Sequence, residues 1–439
     1  MDNLDRILND FTHPTTGSLH AAAFIAVDQS GNTIYSKTAG RAHQDDKDEL
    51  PLYSLYWIAS MTKLVTAVAV VQLVEQGILS LDDDVREKMP ELKDIQILQG
   101  MEHDASRGPA RPKLDPVQGK LTLRQLLCHT SGFIYDSTSK LLQEWSLSQG
   151  RTAYTFSGSM AGYHHPLLFE PGTSWGYGGG LDWAGQLIER VTNSTLEDYM
   201  RAHIWSKLGA QSTTFHPERK THLPPLVPMM YRNGITSAPT EKRPLTLVQP
   251  AQHALGGVGL FSTPTDFSKL LVSILQSSTT TTNSTANQQD PMTTPQLLTK
   301  PSIDLLFRPQ LDPQCRASMP RPLGAQMRRV LNINDINDAA QADHALGGTI
   351  TLRDIPGRRR AGSMNWSGLP NLHWWIDPKS GIAAALFTQL MPPTDASVTD
   401  LLIELERALY SAVAIARGAE GDGKPSVSGV GDVGNMAKL

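Results

Sequence analysis

Between Ser60 and Gln76 the chain carries Leu64, Val65, Ala67, Val68, Ala69, Val70, Val71, Leu73 and Val74, with scarcely a polar side chain among them. A helix that is apolar around its whole circumference has no face to give to water. It must run through a core with other elements on every side. The runs Leu64 to Val74 and Ala21 to Val27 are both too short to cross a bilayer, so burial in protein is the expectation. Gly77 is a natural stop, and the apolar lead-in from Tyr53 to Ala59 delivers the chain to the helix start. A chain of 439 residues is long enough to surround such a helix as one two-lobed unit or two domains.

The surrounding elements are legible at the two ends. After a short opening helix, Ala21 to Val27 and Thr33 to Ser36 flank a turn at Asp28 to Asn32 and predict a β-hairpin with a buried first strand. Strand signals return at Thr349 to Arg353, Leu372 to Asp377 and Ile382 to Gln389, the last two joined by Pro378-Lys379-Ser380-Gly381. A helix from Val398 to Ala416 follows. In between, helices at Leu121 to Cys128 and Asp182 to Thr192 alternate with Gly/Pro-rich loops, and no internal repeat is present. The expected fold is α+β: an antiparallel sheet formed by both chain ends and flanked by helices, with an inserted, mainly helical lobe. The expected division is 1–80 with 246–417 for the sheet lobe and 81–245 for the helical lobe. Residues 277–296, rich in Ser, Thr, Asn and Gln, read as a mobile insertion, and 418–439 as a disordered tail. A cleft between the lobes is where a substrate would sit.

Charge excludes some partners. Lys and Arg number 39 against 43 Asp and Glu, a net −4 with no basic segment, which argues against a nucleic-acid partner. The start, Met1-Asp2-Asn3-Leu4-Asp5-Arg6, lacks a basic region followed by an apolar one, so no secretory signal and no membrane association are expected. The only cysteines, Cys128 and Cys315, are far apart and fit two free thiols in a reducing, cytoplasmic setting. Neither His-x-x-x-His nor paired Cys-x-x-Cys occurs, and His164 and His165 have no partner at ligand spacing. No metal and no cofactor are expected.

Chemistry concentrates in three stretches. In Ser60-Met61-Thr62-Lys63 the hydroxyl and amine lie at i and i+3, on one helical face. A helix beginning at Ser60 would put the positive end of its dipole at the nucleophile. The same field, with burial, would push Lys63 towards the neutral form that can take a serine proton. Ser-x-x-Lys recurs at Ser137-Thr138-Ser139-Lys140 in polar surroundings, where a capping serine and a solvated lysine suffice. Gly172 to Gly176 spells Gly-x-Ser-x-Gly around Ser174, but the strand before and helix directly after that a nucleophile elbow needs are missing. Tyr177, in the glycine-dense loop that follows, could approach another group closely and act as a general base, or simply pack the loop. Gly362 to Pro370, ahead of the strand with Trp374 and Trp375, could offer a backbone N–H to a developing oxyanion beside that of Ser60, or could be a tight corner.

As an ordered set these stretches resemble the serine β-lactamase and penicillin-binding-protein superfamily in its class C-like esterase branch. Ser60-Met61-Thr62-Lys63 matches the nucleophile motif, Tyr177 the tyrosine motif, and Trp366-Ser367-Gly368 the position of the Lys-Thr-Gly triplet. Leu121 to Gly132 and Gly256 to Thr263 add supporting matches. Within the branch the chain looks most like the lovastatin-type fungal acyltransferases, on Tyr177 to Gly185 and Met89 to Gly132. The resemblance implies an acyl-enzyme on Ser60, proton transfer shared by Lys63 and Tyr177, and an oxyanion hole from the N–H groups of Ser60 and Leu369. It also implies a substrate wall at Trp366, Ser367 and Gly368. Its donor would be a small-molecule ester or acyl thioester, carrier-bound or free, and its acceptor a small-molecule alcohol. A carboxylesterase or lactonase using water is the alternative, ahead of a β-lactamase or peptidase and of a catalytically silent binding protein. Two departures tell against β-lactams. Gly179 and Gly180 stand where relatives carry an asparagine, and Trp366 stands where a lysine would meet the carboxylate.

Overall fold

The computed structural model describes residues 1–42, 50–103, 110–233, 241–279, 295–338 and 340–421. The two ends of the chain meet in one antiparallel sheet of seven strands. These are β1 (Ala21–Asp28), β2 (Thr33–Gly40), β3 (Ala342–His344), β4 (Thr349–Thr351), β5 (Met364–Gly368), β6 (Leu372–Asp377) and β7 (Ile382–Phe387). Their order is β2-β1-β7-β6-β5-β4-β3. The first strand closes directly on the last, with Ala23 opposite Phe387 and Asp28 opposite Ile382.

Both faces of this sheet are covered, and the side-chain alternation of strands sorts its residues between two cores. Ala23, Ile25, Val27, Trp374, Ile376 and Ala385 point into the larger core, shared with helix α2 (Thr62–Glu75). Ala22, Phe24, Ala26, Trp375, Ala384 and Leu386 point the other way. There they meet Leu4, Ile7 and Leu8 of α1 (Asp2–Phe11) and Leu401, Leu402, Leu405 and Leu409 of the last helix, Ala396–Gly421. This is why β1 reads as an unbroken apolar run rather than an alternating one.

Every residue of α2 from Thr62 to Leu73 is buried, as its all-round apolarity requires. Its few polar side chains find backbone partners: the Thr62 hydroxyl donates to Ala59 O at 2.6 Å and accepts from Leu260 N–H at 3.1 Å, and the Thr66 hydroxyl donates to Gly256 O at 2.6 Å. The glycine run 256–259 is thereby wedged between α2 and α3 (Gly180–Thr192). A Cβ on Gly256 would sit 2.5 Å from Leu181 O.

Several boundaries differ from expectation. The α-helix starts at Thr62, and Ser60 lies in the 3₁₀ turn Ala59–Met61 before it. The Leu121 to Cys128 helix is the shorter Leu123–Leu127, fixed at its start by a reciprocal Thr122–Gln125 capping box. The stretch 81–245, expected to be mainly helical, also holds a hairpin, Gln96–Glu102 with Arg111–Pro116. Of the insertion at 277–296, residues 277–279 end α4 (Pro264–Thr279) and the stretch 280–294 lies outside the described residues. Of the tail, 418–421 continue the last helix, α5, and 422–439 lie outside the described residues. Among the described residues no helix is long and apolar enough to cross a membrane.

Candidate active site

Three elements bring the first site together: the 3₁₀ turn entering α2, the loop before α3, and β5. Ala59 adopts φ +44°, a left-handed conformation costly for a residue with a Cβ, immediately before Ser60. The turn sets Ser60 Oγ 3.1 Å from Lys63 Nζ. The Tyr177 hydroxyl donates to the same Oγ at 2.6 Å. Lys63 is 2 % exposed, and its Nζ also donates to the Tyr135 hydroxyl at 2.9 Å and to Gly257 O at 2.8 Å. The amine lies between two phenol faces, 4.7 Å from the ring centre of Tyr177 and 5.3 Å from that of Tyr135. A neutral amine in this position can keep donors for Gly257 O and one hydroxyl while turning its lone pair to Ser60.

Glycines let the Tyr177 loop come so close. A Cβ on Gly178 would lie 2.0 Å from Phe133 O, and one on Gly180 2.2 Å from Leu126 O. The His129 ring lies 4.8 Å from that of Tyr177, and its Nδ1 accepts from Gly178 N–H at 3.4 Å. Burial first, and then the charges of His344 and Lys63, hold His129 well below the usual imidazole range, so it sits neutral. Trp366 Nε1 donates to the Tyr177 hydroxyl at 3.3 Å, so an indole N–H occupies the place that a lysine would fill.

β5 runs tightly along the Ser60 turn, with any Cβ on Gly368 falling 2.6 Å from Ile58 O. Leu369 follows and lines a cleft with Ser60, Tyr177, Trp366, Ser367 and Gly368. Among the described residues, neither the Ser60 nor the Leu369 backbone N–H has a protein acceptor. Ser60, Tyr177, Trp366, Ser367, Gly368 and Leu369 thus line one cleft, with Lys63 buried behind Ser60.

The two decoys do not. Ser137 and Lys140 are exposed, and Ser139 caps the helix Lys140–Ser148 by accepting from Leu142 N–H. Ser174 lies in irregular chain with no strand before it. His165 is buried and bonded to Pro166 O, and both cysteines are free thiols.

Two residues of the cluster were not read from the sequence. Tyr135 shares the Lys63 amine; burial, and then the charge of Asp182, pushes its phenol well above the ordinary range, so it keeps its proton. Asp182, fully buried, accepts from Gly257 N–H at 2.9 Å, so the residue that takes a Lys63 proton on its carbonyl is held from its amide side by a carboxylate. Burial lifts Asp182 to about 6, against the lowering charge of Lys63. Tyr135 lies three positions beyond the Leu121 to Gly132 motif and Asp182 five beyond Tyr177, but nothing local marks either as facing the lysine.

Comparison with known proteins identifies the family. The family model described as Beta-lactamase matches residues 15–408. The monacolin J acid methylbutanoyltransferase of Aspergillus terreus is 32% identical over 401 residues, covering 89% of this chain and 91% of the relative. The lovastatin esterase of Penicillium rubens is 30% identical, covering 89% and 93%. Among solved structures, unliganded simvastatin synthase (LovD) from Aspergillus terreus superposes with a TM-score of 0.76 at 28% identity, covering 93% of this chain and 97% of that one. EstCE1, a hydrolase with promiscuous acyltransferase activity, shares the fold at a TM-score of 0.67 and 16% identity. The chain belongs to the beta-lactamase family, in its acyltransferase and esterase branch, and is an enzyme.

Proposed function

We propose that the chain takes an acyl group from a small-molecule ester or thioester, free or carrier-bound, onto Ser60 and passes it to an alcohol on a secondary metabolite. The observation that carries this reading is one hydroxyl, Ser60 Oγ, bonded to both Lys63 and Tyr177 at a cleft wall. Ser60 attacks the acyl carbonyl as its proton passes to Lys63, and the leaving group departs with a proton relayed through Tyr177. The N–H groups of Ser60 and Leu369 receive the oxyanion. The incoming alcohol then repeats the steps in reverse. Trp366, Ser367 and Gly368 form the wall along which the substrate lies, and Tyr135 with Gly257 O keeps the Lys63 amine aimed. Water can use the same acyl-enzyme, which makes a carboxylesterase or lactonase the second reading; the largely apolar lining favours the alcohol.

Incubation with a short acyl thioester and with a p-nitrophenyl ester, followed by peptide mass mapping, is expected to place the acyl group on the peptide containing Ser60 and to find none in Ser60→Ala. An adduct at Ser137 or Ser174 in an active Ser60→Ala protein would overturn the mechanism.

Asp182 gives this reading a pH signature. Asp182→Asn keeps an oxygen for Gly257 N–H but removes a carboxyl that titrates at about 6. The inflection that this carboxyl gives the kcat/KM profile for ester cleavage near pH 6 should then disappear. An unchanged profile would show that Asp182 does not act on the site.

A further inference from the structure

The cleft at Ser60 continues well past the nucleophile, beyond β5 to the helix Gly324–Val330 and the start of α5. Its lining changes character on the way. At the Ser60 end it is aromatic, with Trp175, Tyr177 and Trp366. Strand alternation turns Ser367 to the opposite side from Trp366, and Ser367 stands directly across from His373 of β6, so the two side chains share a face. Gln326 joins them in lining the far end.

Three features of this far end go together. The side chains of Gln326, Ser367 and His373 have no hydrogen-bond partner among the described residues, though each can both donate and accept. Burial, and then the charge of Arg359, holds His373 down at about 3, so its imidazole is neutral. Among the described residues, no Lys, Arg, Asp or Glu lines the cleft. The guanidiniums of neighbouring segments are engaged elsewhere: Arg358 and Arg359 on Glu406, Arg329 on Asp400, and Arg328 on the carbonyls of Pro320 and Arg321. Arg321 itself is exposed beside the rim residue Pro322.

A carboxylate drawn into this space would give up its hydration with no cation to receive it. A neutral oxygen would find donors and acceptors waiting, and a group with none would leave them unsatisfied. We propose that Gln326, Ser367 and His373 form a recognition arm for an uncharged, oxygen- or amide-bearing portion of the acceptor, so that the enzyme takes a neutral polar alcohol in preference to its carboxylate counterpart. This rests on the acyl-transfer reading of Ser60.

The test uses p-nitrophenyl butyrate as donor and two matched acceptors, 4-hydroxycyclohexylacetamide and 4-hydroxycyclohexylacetate. The amide is expected to be acylated with a kcat/KM at least roughly tenfold above that of the carboxylate. In Gln326→Arg the ratio should shift towards the carboxylate by about tenfold or more, and a melting curve of the variant establishes that it is folded. Equal use of the two acceptors by the natural protein, or a preference for the carboxylate, would overturn the assignment. So would an unchanged ratio in folded Gln326→Arg. Absence of any p-nitrophenol release and of any acyl adduct on Ser60 is a different failure: it would remove the acyl-enzyme itself, and the recognition arm with it.

Discussion

Lys63→Met is expected to slow acylation of Ser60 by about 10³- to 10⁶-fold, the range seen when one member of a catalytic unit is lost. Methionine nearly matches the lysine stem in volume, so the packing within a helix whose Thr62–Leu73 span is wholly buried should survive. What disappears is the one atom that joins Ser60 Oγ, the Tyr135 hydroxyl and Gly257 O. Ser60 keeps its bond to Tyr177 but loses the amine that can take its proton. The burst of p-nitrophenol in the first turnover isolates this step from acceptor chemistry. Tyr177→Phe is the informative companion, because it removes the other bond to Ser60 Oγ while leaving the ring face over the amine. A larger loss in Lys63→Met than in Tyr177→Phe would make the lysine the main base. A Lys63→Met burst within about tenfold of the natural rate would transfer that role to Tyr177. A smaller stability loss should accompany the change, since Tyr135 and Gly257 O are left buried without their donor, at about 1–3 kcal/mol.

Glu406→Gln is expected to cost about 3–5 kcal/mol of stability, a large share of what a domain typically has. Glu406 is fully buried on α5 and receives Arg358 Nη2 at 2.6 Å, Arg359 Nε at 2.8 Å and Arg359 Nη2 at 2.7 Å. Both arginines are buried too, and the Arg359 guanidinium lies 5.2 Å from the Trp375 ring centre. A neutral amide would leave two guanidiniums out of water without an anion. Urea denaturation at pH 7 measures the loss, and a change under about 1 kcal/mol would show that water or the rest of the fold compensates. The pH dependence has a definite sign. Burial alone would raise the Glu406 carboxyl, but the two guanidiniums bring it down to about 2, below its ordinary 4.5. The stability it contributes is therefore complete above about pH 4.5 and is lost as pH falls towards 2. Glu406→Gln should make stability measurably less sensitive to acid in that window.

What the sequence revealed and what it concealed follow from the range of the interactions. Helix α2 and strands β1 and β7 were legible because burial acts on nearly every residue of a short segment and leaves an unbroken apolar record, and the turns beside the two strands marked their hairpins. The hairpin Gln96–Glu102 with Arg111–Pro116 was concealed because its first strand buries only the adjacent Ile97 and Leu98 and its second buries no residue fully, so neither leaves an alternating apolar record. The three-residue strand Ala342–His344 buries an aspartate and a histidine, contrary to any hydrophobic pattern. At the site, Ser60 and Lys63 share a turn and could be paired from spacing alone. Tyr135 and Asp182 are brought to that lysine by tertiary folding, and a phenol or carboxylate in sequence carries no sign of the partner it will meet. In Pro356-Gly357-Arg358-Arg359-Arg360, two of the three arginines lie in the interior, and no local pattern marks which two.

The pairing of Ala23 with Phe387 has a consequence for the order in which the protein is made. Strand β1 ends at Asp28 and leaves the ribosome long before its neighbour β7, which begins at Ile382. Until β7 follows, the edge of β1 that it will pair with stays open, and the core that α2 shares with the sheet lacks Ala383, Ala385 and Phe387. Contacts so distant in sequence close slowly, and long chains with exposed apolar helices are prone to aggregate meanwhile. Closure of β1 on β7, more than local helix formation, therefore sets when this enzyme becomes active. Nascent chains stalled before β7 should depend on chaperones to stay in solution.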